Sequence, residues 1–200
     1  MAILKSGAAV PCRATALILF AQLRGFTRMV EILEPPVVLA RASEFLALVA
    51  AAVERHEGSV VNTLNDTLMA TFAGEGDAQR AVQAAQEIRR DFTILKAAWQ
   101  RDHGIRAAVA MGLHGGAAVI GLAGDPLPER LLVIGDCVSL AEHLLHRARA
   151  GEFVASQTIM DSLAASRFAL EAKELPLFKI PRREPMRIFG VVLETRLDFT

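Results

Sequence analysis

A short apolar segment followed closely by glycine is the first feature of this sequence that can bind a charged group. Residues 16–21 have the length of a buried strand, and Gly25, Phe26 and Thr27 come soon after them. If these three residues open a helix, their backbone N–H groups can face an anion such as phosphate. An ordinary strand-to-helix turn, in which Gly25 only serves the backbone conformation, explains the same pattern. The neighbouring Arg24 either adds a charge for that anion or lies in solvent.

A carboxylate at the tip of a predicted hairpin is the second candidate. Residues 59–64 and 68–72 are strand-like, and the trio Asn65, Asp66 and Thr67 between them is compatible with a turn. Asp66 therefore lies at the hairpin tip. Asp is common in turns because its side chain bonds its own backbone, so this position alone gives Asp66 a structural role.

The histidines and cysteines do not form a metal-ligand pattern. The histidines that could suggest a cluster lie on different predicted elements or three residues apart. They are His56, His114, His143 and His146. We expect each of them to be solvated or hydrogen-bonded. Cys12 and Cys137 are far apart and lack metal-ligand spacing, so we interpret both as small buried hydrophobic residues.

Helical periodicity predicts two long helices. After Pro35 and Pro36, apolar residues recur at helical spacing as far as Gly58. The residues that this helix should turn toward the core are Val38, Ala42, Phe45, Val49, Ala52 and Val53. Residues 77–103 show the same period and stop near Gly104. These helices flank the predicted hairpin in the chain, so a sheet with helices packed on it is expected.

The later part of the chain predicts shorter elements. Residues 107–124 are interpreted as two strands around a turn at Gly115 and Gly116. The remaining predicted elements are a strand at 131–134, a helix at 136–149 and strands at 153–155 and 187–193. This order predicts an α+β fold with a ferredoxin-like split βαβ core and extra C-terminal strand and helix units.

The composition fits one globular domain without a charge bias. The chain has 200 residues, of which 52% are hydrophobic, and its 22 basic and 22 acidic residues cancel. This balance argues against nucleic-acid binding. Pro11, Cys12 and Arg13 interrupt the apolar start before a signal-peptide core can form, and we find no membrane segment. We therefore expect a cytoplasmic protein with an N-terminal segment at 1–13 and one domain at 14–200.

Several segments resemble, in order, motifs of the class III adenylate and guanylate cyclase domain. FAQLRGFT at 20–27 is similar to F-x-D-I-x-G-F-T, and HEGSVVNTLNDTLMATF at 56–72 resembles the hairpin motif H-G-G-x-V-x-K-x-x-G-D-x-x-M-A-x-F. The later segments DAQRAVQAAQEIR, GLHGGAAVIGLAGD and VIGDCVSLAEHLLHRARAGEFVAS resemble the motifs that follow. The G-G-[DE]-E-F hairpin of the diguanylate cyclases, which share the core topology, is absent. The resemblance therefore implies the class III cyclase fold.

The resemblance also implies a head-to-tail dimer with another cyclase homology domain, of the same or another chain. Such dimers convert ATP or GTP to the cyclic 3′,5′-monophosphate at sites in their interface. The family holds two divalent metals with one Asp from each of two motifs, and these positions here are Gln22 and Asp66. Because an amide brings no charge to a hard cation that prefers carboxylates, we expect a weak or absent metal pair. Mg²⁺ or Mn²⁺ is expected only with a bound nucleotide.

The other catalytic positions of the family also differ in this sequence. The residues that read the purine become Asn62 and Leu132, and those that orient and stabilise the transition state become Ser139 and His143. Leu132 cannot hydrogen-bond a base. Loss of an Arg that neutralises phosphoryl charge lowers the rate by about 10³ to 10⁵ in related chemistry. We therefore predict that none of these catalytic positions is intact.

The phosphate-binding features of the family are partly retained. The loop of Gly25, Phe26 and Thr27 is present, and Lys179 resembles the Lys that meets the triphosphate near the C-terminal strand. Ile180 replaces the usual Gly beside it. Three functions follow as hypotheses: an inactive cyclase domain that dimerises or regulates a signalling partner, half of a heterodimeric cyclase, or a nucleotide or phosphate sensor without turnover. Cyclic product formed with a co-purified partner, or protection of the loop by ATP, would distinguish them.

Overall fold

A computed structural model describes residues 11–123 and 130–192 of the chain. The strands in these ranges are β1 (Cys12–Arg24), β2 (Ser59–Leu64), β3 (Thr67–Phe72), β4 (Ala108–Ala123), β5 (Arg130–Ile134), β6 (Glu152–Ser156), β7 (Lys173–Glu174) and β8 (Ile188–Val192). The helices are α1 (Phe26–Ile32), α2 (Pro35–Arg55), α3 (Asp77–His103), α4 (Asp136–Arg147) and α5 (Gln157–Ala165). The predicted first strand, hairpin and two long helices are all present.

The strands form one mixed sheet in the order β2-β3-β1-β4-β6-β8-β7, and β5 pairs with β4 beside this path. Strands β2, β3, β1 and β4 pair antiparallel with one another in this order, and helices connect β1 to β2 and β3 to β4. This is the split βαβ arrangement that the sequence predicts. Beyond it, β6 lies parallel to β4, and β8 and β7 extend the sheet.

Strand β4 differs from the prediction, because it is one continuous strand of 16 residues and has no turn at Gly115 and Gly116. Every residue of β1 has a partner in it, from Cys12 opposite Ile120 to Arg24 opposite Ala108. The two glycines pair with the middle of β1 and so cannot reverse the chain. The prediction was wrong because neither glycine reverses the chain, and Gly116 instead serves close packing against α4. A Cβ at Gly116 would lie 3.0 Å from the Cβ of Cys137 in α4.

One side of the sheet, here called the three-helix face, is packed by α2, α3 and α5. All six residues predicted to face the core from α2 are buried. Phe92 of α3 is fully buried and makes edge-to-face contacts with Phe45 and Trp99, at ring-centroid distances of 5.4 and 5.6 Å. Helix α2 is long and apolar enough to cross a membrane by length and composition alone, but the core helix of a soluble protein meets the same criteria. Its buried residues here belong to the core of the domain.

The opposite side, here called the single-helix face, is packed by α4. The helix contributes four buried residues, namely Cys137, Ala141, Leu144 and Leu145. It lies so close to β4 that a Cβ at Gly112 would be 2.5 Å from the carbonyl oxygen of Ala141 and would also collide with the backbone nitrogen of Leu145. Glycine at this position therefore sets the distance between helix and sheet. The predicted helix at 136–149 is confirmed, although it ends at Arg147.

Helix α5 and strand β7 were not specified as separate elements in the sequence prediction. Helix α5 follows β6 directly and buries Ile159 and Leu163 against the three-helix face. Strand β7 has only two residues. These elements are too short to produce a clear apolar period, so their existence depends on packing against the sheet.

Candidate functional site

The C-terminal end of β1 brings Gln22 and Asp66 together. Antiparallel pairing places Gln22 opposite Thr67, the first residue of β3. The backbone nitrogen of Leu23 donates a hydrogen bond of 2.9 Å to the carbonyl oxygen of Asp66. Asp66 therefore lies at the hairpin tip, as predicted, and its Oδ1 accepts a hydrogen bond of 3.2 Å from the hydroxyl of Thr67.

Arg24 joins this end of β1 to the C-terminal end of α4. Its Nη1 donates a 2.5 Å hydrogen bond to Oε1 of Gln22. Its Nη2 donates to the carbonyl oxygens of Leu145 and Ala148, at 2.9 and 3.1 Å. We call these three hydrogen bonds the Arg24 bridge. Carbonyl groups in the last turn of a helix lack intrahelical partners, so a cation is favourable there.

The charge of Arg24 is partly buried beside a carboxylate. Burial lowers the pKa of Arg24, whereas the negative charge of Asp66 opposes this shift. A guanidinium group stays protonated in proteins, so the bridge retains its positive charge at neutral pH. Neither role considered for Arg24 from the sequence describes this arrangement, because the side chain is half-buried and both Nη groups donate hydrogen bonds within the protein.

The loop at Gly25 has the conformation that its sequence suggests. Gly25 has a φ of 95° and caps α1, which has seven residues and no side-chain hydrogen bond at its N-terminus. A Cβ at Gly25 would lie 2.7 Å from the carbonyl oxygen of Arg106. The positive φ and the close backbone approach both require glycine. Phe26 is half-buried and Thr27 is exposed.

The other predicted site residues lie elsewhere on the surface. Asn62 on β2, Leu132 on β5, and Ser139 and His143 on α4 are exposed. The Oδ1 of Asn62 accepts a 2.9 Å hydrogen bond from the backbone nitrogen of Thr63. Among the described residues, no hydrogen bond or ion pair links these four residues to Gln22 or Asp66. Within the described part of one chain, no such bond therefore joins the purine and transition-state positions to the pair of Gln22 and Asp66.

Lys179 lies on an arm formed by residues 175–187 between β7 and β8. Phe178 and Met186 exchange two backbone hydrogen bonds across this arm, at 2.9 and 3.0 Å. Arg183 at its tip forms a two-pronged ion pair with Asp136, the first residue of α4. Lys179 itself is exposed. The arm is thus held at the N-terminal end of α4, the opposite end from the Arg24 bridge.

The histidines behave as predicted where the structure shows their contacts. The Nδ1 of buried His114 lies 2.8 Å from the hydroxyl of Ser156. Burial lowers the pKa of His114, which the charge of Asp136 opposes, so this imidazole is neutral at pH 7. The Nε2 of His56 lies 2.7 Å from a carboxylate oxygen of Glu87. Within residues 11–123 and 130–192, no group of three His, Cys, Asp or Glu side chains could hold a metal ion.

The cysteines are free within the described ranges. Cys137 is buried, and burial raises the pKa of its thiol. Cys12 is only half-buried, so the expectation of a buried residue holds for Cys137 alone.

Comparison with known sequences identifies the family of this chain. The profile of the adenylate and guanylate cyclase catalytic domain matches residues 12–190. The chain belongs to this family. An adenylate cyclase of Anabaena cylindrica is 31% identical over 142 residues, which are 69% of this chain and 28% of that protein. Adenylate cyclase 1 of Rhizobium meliloti is 27% identical over 131 residues, or 63% of this chain and 20% of that protein. The chain thus spans under a third of either relative.

Solved structures of this cyclase family share the fold. The adenylyl cyclase CyaB from P. aeruginosa superimposes with a TM-score of 0.82 at 21% identity, covering 96% of this chain and all of that chain. The match to the guanylyl cyclase Cya2 has a TM-score of 0.80 at 22% identity, and it covers 90% of this chain and 92% of the Cya2 chain. The α+β cyclase fold expected from the sequence is therefore confirmed.

The Arg24 bridge was not predicted from the sequence, although a signal for it was present. Alternation along β1 places Ile18, Phe20, Gln22 and Arg24 on one face of the sheet. The first two of these residues are buried under α4. Arg24 should therefore point toward the same helix. Its partners could not be predicted, because they are backbone carbonyls 121 and 124 residues away in the chain.

Proposed function

We propose that this chain is a catalytically inactive cyclase domain that acts as a dimerising or regulatory partner in cyclic-nucleotide signalling. The Arg24 bridge is the observation that carries this proposal. The family uses two carboxylates and two divalent metals at the positions of Gln22 and Asp66. Here an amide stands at one position and a guanidinium group is bound to it.

The electrostatics of this arrangement oppose metal binding. Mg²⁺ and Mn²⁺ prefer carboxylate oxygens, and Gln22 supplies a neutral oxygen that already accepts a hydrogen bond from Arg24. The remaining carboxylate, Asp66, interacts with the positive charge of Arg24. A divalent cation would thus meet a like charge where the family supplies a negative one. Without the metals, the attacking hydroxyl is not activated and the phosphates are not neutralised.

The positions that the family uses for purine recognition and transition-state stabilisation support the same proposal. Leu132 offers no hydrogen bond to a purine, and Ser139 is shorter than the Asn that the family uses. His143 replaces an Arg that is always charged. Glu142, its exposed neighbour on α4, would repel a triphosphate. Restoring the metal position alone would therefore leave the chain without base recognition and transition-state stabilisation.

Exposed apolar residues support a role in dimerisation. Leu64, Leu132 and Ile134 have exposed fractions of 68%, 38% and 65%. They lie on β2 and β5, and the family resemblance places Leu132 at the dimer interface. The guanylyl cyclase domain of the RhoGC fusion protein from Blastocladiella emersonii has been solved as a non-canonical dimer and also as a monomer. A second cyclase domain, from the same or another chain, is the partner that we propose for this surface.

The test compares four forms of the chain: the natural sequence, Gln22→Asp, Arg24→Met and the double variant. Calorimetry with Mn²⁺ should show no binding to the natural chain and measurable binding to the double variant, which has two carboxylates and no competing guanidinium. With ATP or GTP and Mn²⁺, we expect no cyclic product from any form. Cyclic nucleotide made by the natural chain alone would refute the proposal. Product formed only after adding a competent cyclase chain would favour the heterodimeric enzyme instead.

A nucleotide or phosphate sensor without turnover is a second candidate. The left-handed conformation of Gly25 at the start of α1 and the exposure of Thr27 favour it. Hydrogen exchange with and without ATP tests this alternative. Slower hydrogen exchange at residues 25–28 of the natural chain would support the sensor function. Unchanged exchange at millimolar ATP would exclude it.

A further inference from the structure

A cavity of about 330 Å³ lies between the C-terminal end of α4, the start of β6 and strand β7. It includes none of the residues assigned above to the candidate site. Its charged lining residues are Arg147, Arg149, Glu152, Lys173 and Glu174. The volume is within the range of pockets for small organic ligands. The charges of these residues determine which ligand the cavity fits.

Glu152 is a buried carboxylate that is only partly satisfied. Its exposed fraction is 8%, and its Oε2 accepts a 2.8 Å hydrogen bond from the backbone nitrogen of Arg149. Within the described part of the chain, no Lys, Arg or His forms an ion pair with it. A carboxylate has about four lone-pair positions, so one neutral donor leaves most of its acceptor capacity unused. A buried charge in this state favours a cationic partner.

The second carboxylate oxygen of Glu152 has space because residue 190 is glycine. Oε1 lies 2.6 Å from where a Cβ of Gly190 would stand, and both residues line the cavity. Any larger residue at position 190 would displace the carboxylate. The hydrogen bond to Arg149 explains the position of Oε2, but it does not use Oε1. That oxygen remains available for a donor in the cavity.

Three cationic side chains at the cavity have no counter-ion in the described ranges. They are Arg147, Arg149 and Lys173. The nearby carboxylate of Glu174 is already used, because both of its oxygens accept hydrogen bonds from Arg187, at 2.8 and 3.0 Å. The cavity therefore combines one buried anion with uncommitted cations. A ligand that carries both charges satisfies both.

We propose that this cavity binds a small zwitterion with an amino group and a carboxylate. The ammonium group donates hydrogen bonds to Glu152. The carboxylate faces Arg149 and Lys173, and the aliphatic part lies against Leu175, which also lines the cavity. A simple amine would leave the cations unpaired, and a simple carboxylate would leave Glu152 unpaired. The zwitterion is thus preferred over either half of it.

The experiment is a calorimetric titration of the full chain with 4-aminobutyrate, butylamine and butyrate as matched probes. We expect 4-aminobutyrate to bind at least about tenfold more tightly than either single-charge probe. Glu152→Gln keeps the shape and the acceptor for Arg149 but removes the charge, so its affinity for 4-aminobutyrate should fall at least about tenfold. Glu174→Gln, at the same cavity, should bind like the natural chain.

Lys173→Met provides a second variant, because an exposed residue on a two-residue strand can be changed without disturbing the core. Its affinity for 4-aminobutyrate should fall between the affinities of the natural chain for 4-aminobutyrate and for butylamine, because Arg149 still faces the carboxylate. Thermal unfolding of each variant checks that it is folded. Absence of heat with millimolar 4-aminobutyrate on the natural chain would overturn the proposal. Unchanged binding by folded Glu152→Gln would do the same.

Discussion

The two faces of the sheet are stabilised in different ways. The three-helix face has a thick apolar core with large side chains such as Phe45, Phe92 and Trp99. The single-helix face holds α4 close to β4 over Gly112, and an arginine from another element binds each end of the helix. Apolar volume therefore stabilises the first face. Close backbone approach and charged contacts hold α4 in place on the second face.

The largest expected effect is on the three-helix face. Phe92→Ala removes a fully buried ring that touches two other aromatic rings. We expect the free energy of unfolding to fall by about 3–5 kcal/mol, because the cavity cannot close completely. Urea denaturation measures this change. Ile94→Ala, at a residue that is 73% exposed on the same helix, should change stability little, and an equal loss there would contradict the comparison.

The next effect tests the close approach on the single-helix face. Gly112→Ala adds one methyl group that must push α4 away from β4, so we expect a loss of about 1–3 kcal/mol or more. Gly115→Ala is the matched control on the same strand. Its new Cβ would lie 3.5 Å from Ile159 of α5, an ordinary contact. Equal losses for the two variants, measured by denaturation, would show that glycine acts through strand flexibility alone.

A smaller effect is expected from removing the Arg24 bridge. Arg24→Met keeps most of the aliphatic stem but leaves the carbonyls of Leu145 and Ala148 without this donor. Because water can replace the lost donor at this half-buried position, we expect a net loss of about 0.5–1.5 kcal/mol, the usual contribution of an intramolecular hydrogen bond. Arg28→Met, at an exposed residue of α1, is the control. Hydrogen exchange should rise at 145–148 in Arg24→Met only, and unchanged exchange there would show that the bridge does not stabilise this end of α4.

The smallest effect is expected at the exposed N-terminal end of α4. The hydrogen bond from Arg183 lowers the pKa of Asp136, so this pair stabilises the fold above the unfolded pKa of about 3.9 and loses its effect as pH falls through the lower folded value. Arg183→Ala should lower the melting temperature at pH 7 by less than Arg24→Met does. The difference from the natural chain should shrink at high salt and below about pH 4. A difference that stays constant under both changes would exclude the ion pair as its cause.

The sequence predicted the three-helix face well, because its strands and long helices follow simple apolar periods. Residues 77–103 form α3 with the predicted bounds, and the buried residues of α2 are those the period indicated. The single-helix face was harder. Gly115 and Gly116 suggested a turn, whereas Gly112 and Gly116 permit close contact with α4. The Arg24 bridge and the cavity at Glu152 depend on residues that lie far apart in the chain, and periodicity does not identify such contacts.

The last turn of α4 has a thermodynamic consequence. Arg24 from β1 binds the carbonyls of Leu145 and Ala148, and Glu152 of β6 binds the backbone nitrogen of Arg149. Five consecutive residues thus link the metal-site positions to the cavity. If a ligand in the cavity shifts this segment, it changes the free energy of the Arg24 bridge. Linkage then requires reciprocity. If the cavity ligand changes the affinity of a second ligand that breaks the bridge, the second ligand changes the affinity of the cavity ligand by the same factor.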